Sequence, residues 1–329
     1  EGKGFASEGQ KITLGHEFAL RVVGLLDPDG TRIAPEPSPP QRIGAHYILL
    51  EEVGRGGMGI VYESWDESRK QRCAIKWLRE GGEADDEAMK RFRREAMLQG
   101  ELAEYPGIVT IFDLGTVTGS GEMFCVMEYV PGKTFLDLLR EKTLPRAEGV
   151  RLIARVARAV AYAHERGVIH RDIKPANIMI TAEGAIRLTD FGIAKALDQG
   201  GRITLTGMMM GTPGYMAPEQ ISDSKRAGPP ADVYSLGALL FTFLTGKLPM
   251  RGRNLREALD NARKGEYGPS PREVDPSIDP VLEAACRRAL SHNAEDRWPS
   301  AAAFALELER FLKETSDVGR ISLDAPKGP

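Results

Sequence analysis

Residues 54–61 read GRGGMGIV, a glycine-dense stretch between two runs suited to strands. Before it stands ILLEEV, and after it come IVYESWD and RCAIKWL, all short and rich in β-branched and aromatic residues. Glycine loses more backbone entropy on ordering than any other residue, so a cluster inside an ordered segment needs a reason. Gly54, Gly56 and Gly59 obey G-x-G-x-x-G. In a dinucleotide fold a helix must begin among these glycines, so that its N-terminus faces the pyrophosphate. Ile60–Val61–Tyr62 is poor at starting a helix. Two readings remain: a hairpin whose flap lies over phosphates because no side chain blocks the backbone, and a plain surface turn.

The chain has 329 residues, 42% of them apolar, which is room for one large or two medium domains with a sizeable core. The formal net charge of −3 argues against a mainly electrostatic grip on nucleic acid or membranes. Cys73, Cys125 and Cys286 are scattered, odd in number and without a CxxC pair, which fits a reducing compartment rather than a disulfide framework or zinc site. The longest apolar run, Leu236–Leu244, is interrupted by Gly237 and Thr242. It is too short to span a bilayer and reads as a buried helix. The first residue is Glu and no signal pattern follows, so the expectation is a cytoplasmic piece with no membrane segment of its own. Any anchor of a longer protein would lie outside it.

FALRVVGLL, DPDG and TRI suggest two short strands around a turn at Asp27–Gly30. PEPSPP at 35–40 is a stiff, extended linker. Residues 1–40 are therefore read as an extension and linker, either a separate adaptor or the remnant of a sensory domain. From Tyr47 strand patterns dominate, with VTIFDLGTV and FCVMEYV as later strands and a helical composition over 83–104 between them. After Pro131–Gly132 the pattern turns helical, with Val150, Ile153, Val156, Ala157 and Val160 at helical spacing. The reading is an α+β chain: a small antiparallel β-rich lobe with one long helix over 41–130, a larger, mainly helical lobe over 131–314, and a disordered tail over 315–329.

Four further stretches carry chemistry: AIK ending at Lys76, HRDIKPAN at 170–177, DFG at 190–192 and GTPGYMAPE at 211–219. Alone, Lys76 would be a snorkelling surface lysine. In this order, after the glycine stretch, the set resembles the protein kinase family, and specifically its bacterial Ser/Thr branch, from about Tyr47 to Leu312. The resemblance implies a bilobal kinase fold and transfer of a phosphoryl group from ATP to Ser/Thr hydroxyls of protein substrates, without a nucleic-acid partner. Lys76 would hold the α- and β-phosphates, aimed by Glu95. Asp190 and Asn177 would hold Mg²⁺, with Mn²⁺ as the alternative ion. Asp172 would orient the substrate hydroxyl, and Lys174 would neutralise charge on the transferring group. Thr212 would brace both. Val61, Ala74 and Met179 would sandwich the adenine, with Met127 at the inner pocket and Glu128–Tyr129–Val130 as the hinge. His170 would be a packed loop histidine, Glu219 and Arg297 an ion pair, and Asp232 a helix-capping aspartate that steadies the catalytic loop.

Thr204 and Thr206 resemble the activation-loop threonines of this branch. Arg171, Lys195 and Arg91 would converge near them and accept a phosphothreonine. Autophosphorylation between two copies implies a transient homodimer. Two positions depart from the family pattern: Gln99 stands where an apolar residue is usual, and YPGIV replaces HPNIV. A pseudokinase would lack the Lys, Asp or Asn of these motifs. A small-molecule phosphotransferase of related fold usually lacks APE and the long segment before it. Both are present here.

Overall fold

A computed structural model describes residues 25–26, 32–33, 42–56, 59–78, 100, 102–117, 122–191, 213–222 and 227–323. The chain divides into two units, Glu1–Gln41 and Arg42–Pro329. Within the first, β1 (Leu25–Leu26) pairs antiparallel with β2 (Arg32–Ile33), at the two ends of the expected DPDG turn.

The second unit begins with a six-stranded antiparallel sheet in the order β3-β4-β5-β6-β8-β7. The strands are β3 (Arg42–Ile43), β4 (Tyr47–Gly56), β5 (Gly59–Asp66), β6 (Gln71–Leu78), β7 (Ile111–Thr116) and β8 (Met123–Glu128). Side chains alternate across a strand, so β6 and β8 can supply two apolar clusters at once. Ala74, Leu78, Met123, Cys125 and Met127 join one cluster, while Cys73, Ile75, Phe124 and Val126 join the other with Ile43, Tyr47 and Leu49. The helix expected over 83–104 falls largely outside the described residues.

The hairpin reading of the glycine stretch holds. Gly54 faces Val61, Arg55 faces Ile60 and Gly56 faces Gly59. Gly59 has φ of +142°, and a Cβ there would lie 2.0 Å from the Trp77 carbonyl oxygen. Only glycine lets β5 lie this close to β6 at that conformation.

Beyond β8 the chain becomes helical. Thr134 caps the helix Phe135–Glu141 in a reciprocal capping box with Asp137. The long helix Arg146–Glu165 buries the apolar face read from the sequence, including Val150, Ile153, Val156, Ala157 and Val160. Arg158 grips Glu309 through two bonds of 2.9 and 2.6 Å, tying it to the last helix. The helix Pro229–Thr245 starts with Pro at its first position and stops at Gly246 in the left-handed region. Its apolar run is buried, as expected for an interior helix. No helix among the described residues is long and apolar enough to cross a membrane.

Between lobe sheet and helices lies a small sheet in the order β11-β10-β9: β9 (Gly132–Thr134), β10 (Ile178–Thr181) and β11 (Ile186–Leu188). It positions the loops on either side of it, 170–177 and 189–191. One difference from the sequence reading appears at the end. The last helix runs Ala301–Leu323, past the Thr315 start of the expected disordered tail. Thr315 Oγ1 donates to the Phe311 carbonyl, a helical back-bond rather than a break, and elongation of a formed helix costs little.

Candidate active site

Lys76 sits on β6, opposite Cys125 of β8, and is 9% exposed. Its ammonium donates to Asp190 Oδ1 at 2.7 Å, across the lobe boundary. Burial pushes the Asp190 carboxyl up, but Lys76, with smaller help from Lys174 and His170, pulls it below the ordinary carboxylate range. It is thus an anion at neutral pH.

Asp172, Lys174 and Asn177 form the second half of the site. Lys174 Nζ donates to Asp172 Oδ2 at 2.9 Å. Asn177 Nδ2 donates to the Asp172 carbonyl at 2.9 Å and to its carboxylate at 3.0 Å. This turns the Asn177 amide oxygen away from Asp172. One carboxylate, Asp190, and one neutral amide oxygen are hard donors of the kind Mg²⁺ takes together with phosphate and water. The residues present therefore fit a divalent ion held jointly with a polyphosphate.

The loop bearing Asp172 is held by its backbone. Asp232, fully buried, accepts from the His170 and Arg171 amides at 2.8 Å each and from His164 Nε2 at 2.8 Å. Burial raises its carboxyl, but these donors bring it below the ordinary range. This corrects the sequence reading in one respect. Asp232 does not cap its own helix, whose N-cap is Gly228; it lies in the first helical turn and caps the loop's amides instead. Gln220 Nε2 donates to the Arg171 carbonyl at 2.7 Å, joining the loop to the APE segment.

His170 is the expected packed histidine. It is fully buried and its ring lies 4.4 Å from that of Phe191, centroid to centroid. The Asp172 amide donates to Nδ1, so Nδ1 carries no proton, and Nε2 donates to the Thr189 carbonyl at 3.0 Å. Burial lowers its pKa against the pull of Asp232 and Asp172, in agreement with a neutral ring. Arg171 and Asp190 are both non-glycine residues with positive φ, 63° and 60°. Such strain persists where the surroundings over-determine it, and it collects at functional sites.

The residues expected around the adenine come together. Val61, Ala74, Met127, Val130 and Met179 belong to one cluster drawn from both lobes. Glu128 and Tyr129 link β8 to β9. Glu219 and Arg297 form a two-pronged ion pair at 2.7 and 2.8 Å, with Arg297 also donating to the Ser291, Pro230 and His292 carbonyls. Thus Gly54, Gly59, Val61, Ala74, Lys76, Met127, Glu128, Val130, Asp172, Lys174, Asn177, Met179 and Asp190 lie in elements that border one cleft. Glu95, Thr204, Thr206 and Thr212, with Arg91, Lys195 and Gln99, lie outside the described residues. Three supporting residues escaped the sequence reading: His164, Gln220 and Arg187, which donates to Glu128 at 3.1 Å. All three act over long sequence separations, and nothing in their local sequence marks them.

Comparison with known proteins agrees with this geometry. The protein kinase domain family model matches residues 47–305. The Ser/Thr protein kinase PknB of Mycobacterium tuberculosis is 38% identical over 295 residues, 88% of this chain and 46% of that protein. The PknB of Mycolicibacterium smegmatis is 35% identical over 294 residues, again 88% and 46%. The chain therefore spans about half the length of these curated relatives. The crystal structure of the Mycobacterium tuberculosis PknI kinase domain superposes with a TM-score of 0.66 at 27% identity, covering 84% of this chain and 99% of that one. On the family match over most of its length, and on fold, this chain belongs to the protein kinase domain family.

Proposed function

We propose that this segment transfers the γ-phosphoryl group of ATP, with Mg²⁺, to Ser/Thr hydroxyls of protein substrates. The observation that carries this reading is the facing of two charge sets: Lys76–Asp190 at 2.7 Å and Lys174–Asp172–Asn177 within 3.0 Å. Phosphoryl transfer asks for alignment and charge neutralisation more than covalent chemistry. Bound Mg²⁺ would supply charge neutralisation to the polyphosphate. Asp190 and Asn177 would hold it, and Lys76 would turn from Asp190 to the α- and β-phosphate oxygens.

Asp172 accepts the hydroxyl proton or orients the hydroxyl in line. The substrate oxygen forms its bond to the γ-phosphorus as the bond to the β–γ bridging oxygen breaks, and ADP leaves with that electron pair. Lys174, 2.9 Å from Asp172, would stand beside the transferring group and neutralise its charge. The apolar cluster of Val61, Ala74, Met127, Val130 and Met179 would take the adenine, with hinge backbone at Glu128 and Val130 reading its edge.

Control would come from Thr204 and Thr206, phosphorylated between two copies, with Glu95 aiming Lys76 and Thr212 bracing Asp172. The catalytic unit would be residues 41–314, and a chain beginning at Gln41 should keep activity. Phosphosite mass spectrometry after incubation with Mg-ATP tests the reading. Wild type should gain phosphate on Ser/Thr, including Thr204 or Thr206, at a rate that rises faster than linearly with protein concentration. Asp172→Asn should gain none. Equal phosphate on both proteins, or none on either with an added protein substrate, would overturn it.

A further inference from the structure

Four charges cross the lobe boundary in two pairs of opposite polarity. The small lobe contributes Lys76 on β6 and Glu128 at the end of β8. These strands are neighbours, with Cys73 opposite Glu128 and Cys125 opposite Lys76. The larger lobe contributes Arg187 on β11 and Asp190, three residues further along the same segment. Lys76 meets Asp190 at 2.7 Å, and Glu128 meets Arg187 at 3.1 Å. A cation from the small lobe meets an anion, and an anion from the small lobe meets a cation. Sliding β11 along the sheet in the direction that brings Arg187 toward Lys76 would set like charges together.

The backbone fixes β11 at that register. The Val109 amide donates to the Leu188 carbonyl at 3.0 Å, and the Leu188 amide to the Gly107 carbonyl at 2.8 Å. The Glu128 amide donates to Thr110 at 2.9 Å, and the Thr110 amide reaches the second oxygen of the Glu128 carboxylate at 3.4 Å. Both oxygens of Glu128 are therefore engaged. The next hinge residue feels the small lobe instead: Glu63 of β5 raises the Tyr129 hydroxyl pKa, with burial adding to the effect.

We propose that Arg187, through Glu128, is a positioning residue for Mg-ATP: it pins the hinge so that Lys76 and Asp190 keep their spacing once nucleotide has separated them. The inference rests on the reading that this cleft binds Mg-ATP. Lys76 and Asp190 must then give up each other, one for phosphate and one for the ion. Glu128 and Arg187 need not, so of the two pairs theirs is the one that persists in the loaded state. Its side chains are 30% and 24% exposed, so the pair is partly screened and adds little to global stability. Its effect belongs to alignment.

The test is a double-mutant cycle of wild type, Glu128→Gln, Arg187→Gln and the double variant, with Arg187→Lys as the conservative change. Calorimetric binding of Mg-ATP, KM and kcat, and thermal midpoints without nucleotide are the readouts. Each single change should weaken Mg-ATP binding and raise KM by about five-fold, with kcat changed by less than about two-fold. The double variant should bind no more weakly than the worse single. Arg187→Lys should recover part of the loss, since it restores charge but not the guanidinium geometry. Midpoints should stay within about 3 °C. Unchanged affinity in Arg187→Gln, losses that simply add, or losses that track the midpoints would overturn the inference while leaving the kinase reading intact. A wild type that binds no Mg-ATP would overturn the kinase reading, and the inference with it.

Discussion

Asp172 and Lys76 border the same cleft, but the structure holds them by different means. The loop under Asp172 is fastened by groups outside the proposed nucleotide site: Asp232 to two amides, Gln220 to a carbonyl, His170 to the Thr189 carbonyl. Those ties can persist through a catalytic cycle. Lys76 is fastened to Asp190, and under the proposed function that tie has to be exchanged when phosphate and metal arrive. One half is a fixed platform and the other is an adjustable clamp. The platform's charges are deep and satisfied, with Asp232 fully buried among three donors, while Asp190 keeps 27% of its side chain exposed on the cleft.

The comparison is broken most severely by removing the clamp. Lys76→Met and Asp190→Asn should each lower kcat/KM by about 10³-fold, because each removes a main charge partner of the phosphates or the ion. Their thermal midpoints should move by only a few degrees, since neither residue supports the platform. Steady-state kinetics beside a melting curve checks both halves. Near-normal turnover in either variant would remove the residue from the chemistry.

The platform should show the reverse coupling. Asp232→Ala leaves the His170 and Arg171 amides and His164 Nε2 without their acceptor in a buried place. Each orphaned buried donor costs about 1–3 kcal/mol, so the loss should reach about 3 kcal/mol or more. Denaturant unfolding should show that loss together with a fall in activity. A variant with wild-type stability and lost activity would place Asp232 in the clamp rather than the platform.

This division also explains what could be read in advance. The residues proposed to do the chemistry, Lys76, Asp172, Lys174, Asn177 and Asp190, stand in short motifs because that chemistry would need those side chains and little else. Strands β5 to β8 and the helix Arg146–Glu165 are legible because one lobe alternates its apolar residues and the other repeats them at helical spacing. The platform was less legible. Asp232 looks like a helix cap in sequence, since aspartate near a helix start usually is one, and only the folded loop shows which amides it serves. Gln220 and His164 reach partners 49 and 68 residues away, which no local pattern encodes. The contact of Lys76 with Asp190 spans 114 residues and depends on lobe closure.

Two glycines of one motif sharpen the comparison within the clamp. At Gly59 a Cβ would sit 2.0 Å from a backbone oxygen, at φ of +142°. At Gly54 it would meet only Val61 Cβ, at 4.0 Å. Gly59→Ala should therefore push β5 off β6, destabilise the protein by about 1–3 kcal/mol and raise KM for ATP. Gly54→Ala should stay within about 1 kcal/mol of wild type. Equal effects of the two changes, measured by denaturant unfolding, would mean that the hairpin is not held against β6 in solution.

The smallest expected effect comes from His170, in the platform. Its pKa is lowered by burial, with Asp232 and Asp172 opposing, so the folded protein favours the neutral ring. The unfolded chain binds a proton there at its ordinary value of 6.5. Between the folded pKa and 6.5 the unfolded state holds more protons, so stability rises with pH. The contribution is complete above about pH 6.5 and is lost as pH falls below it. Asp190 and Asp232 act in a more acid part of the scale: their lowered values cost stability as pH falls through the ordinary carboxylate value of 3.8 and below. The window from pH 7.5 to 5.5 thus separates the histidine from the carboxylates. At pH 5.5 the wild type should therefore melt measurably below its own midpoint at pH 7.5. His170→Phe keeps an aromatic ring against Phe191 but cannot titrate. It should melt lower than wild type at pH 7.5, because the bonds to Thr189 and to the Asp172 amide are gone, yet lose less on acidification. The other histidines remain in both proteins, so the difference in slope belongs to His170. Parallel slopes would show that the ring accepts a proton in the fold, and that the platform yields at the one point where its hydrogen bonds demand neutrality.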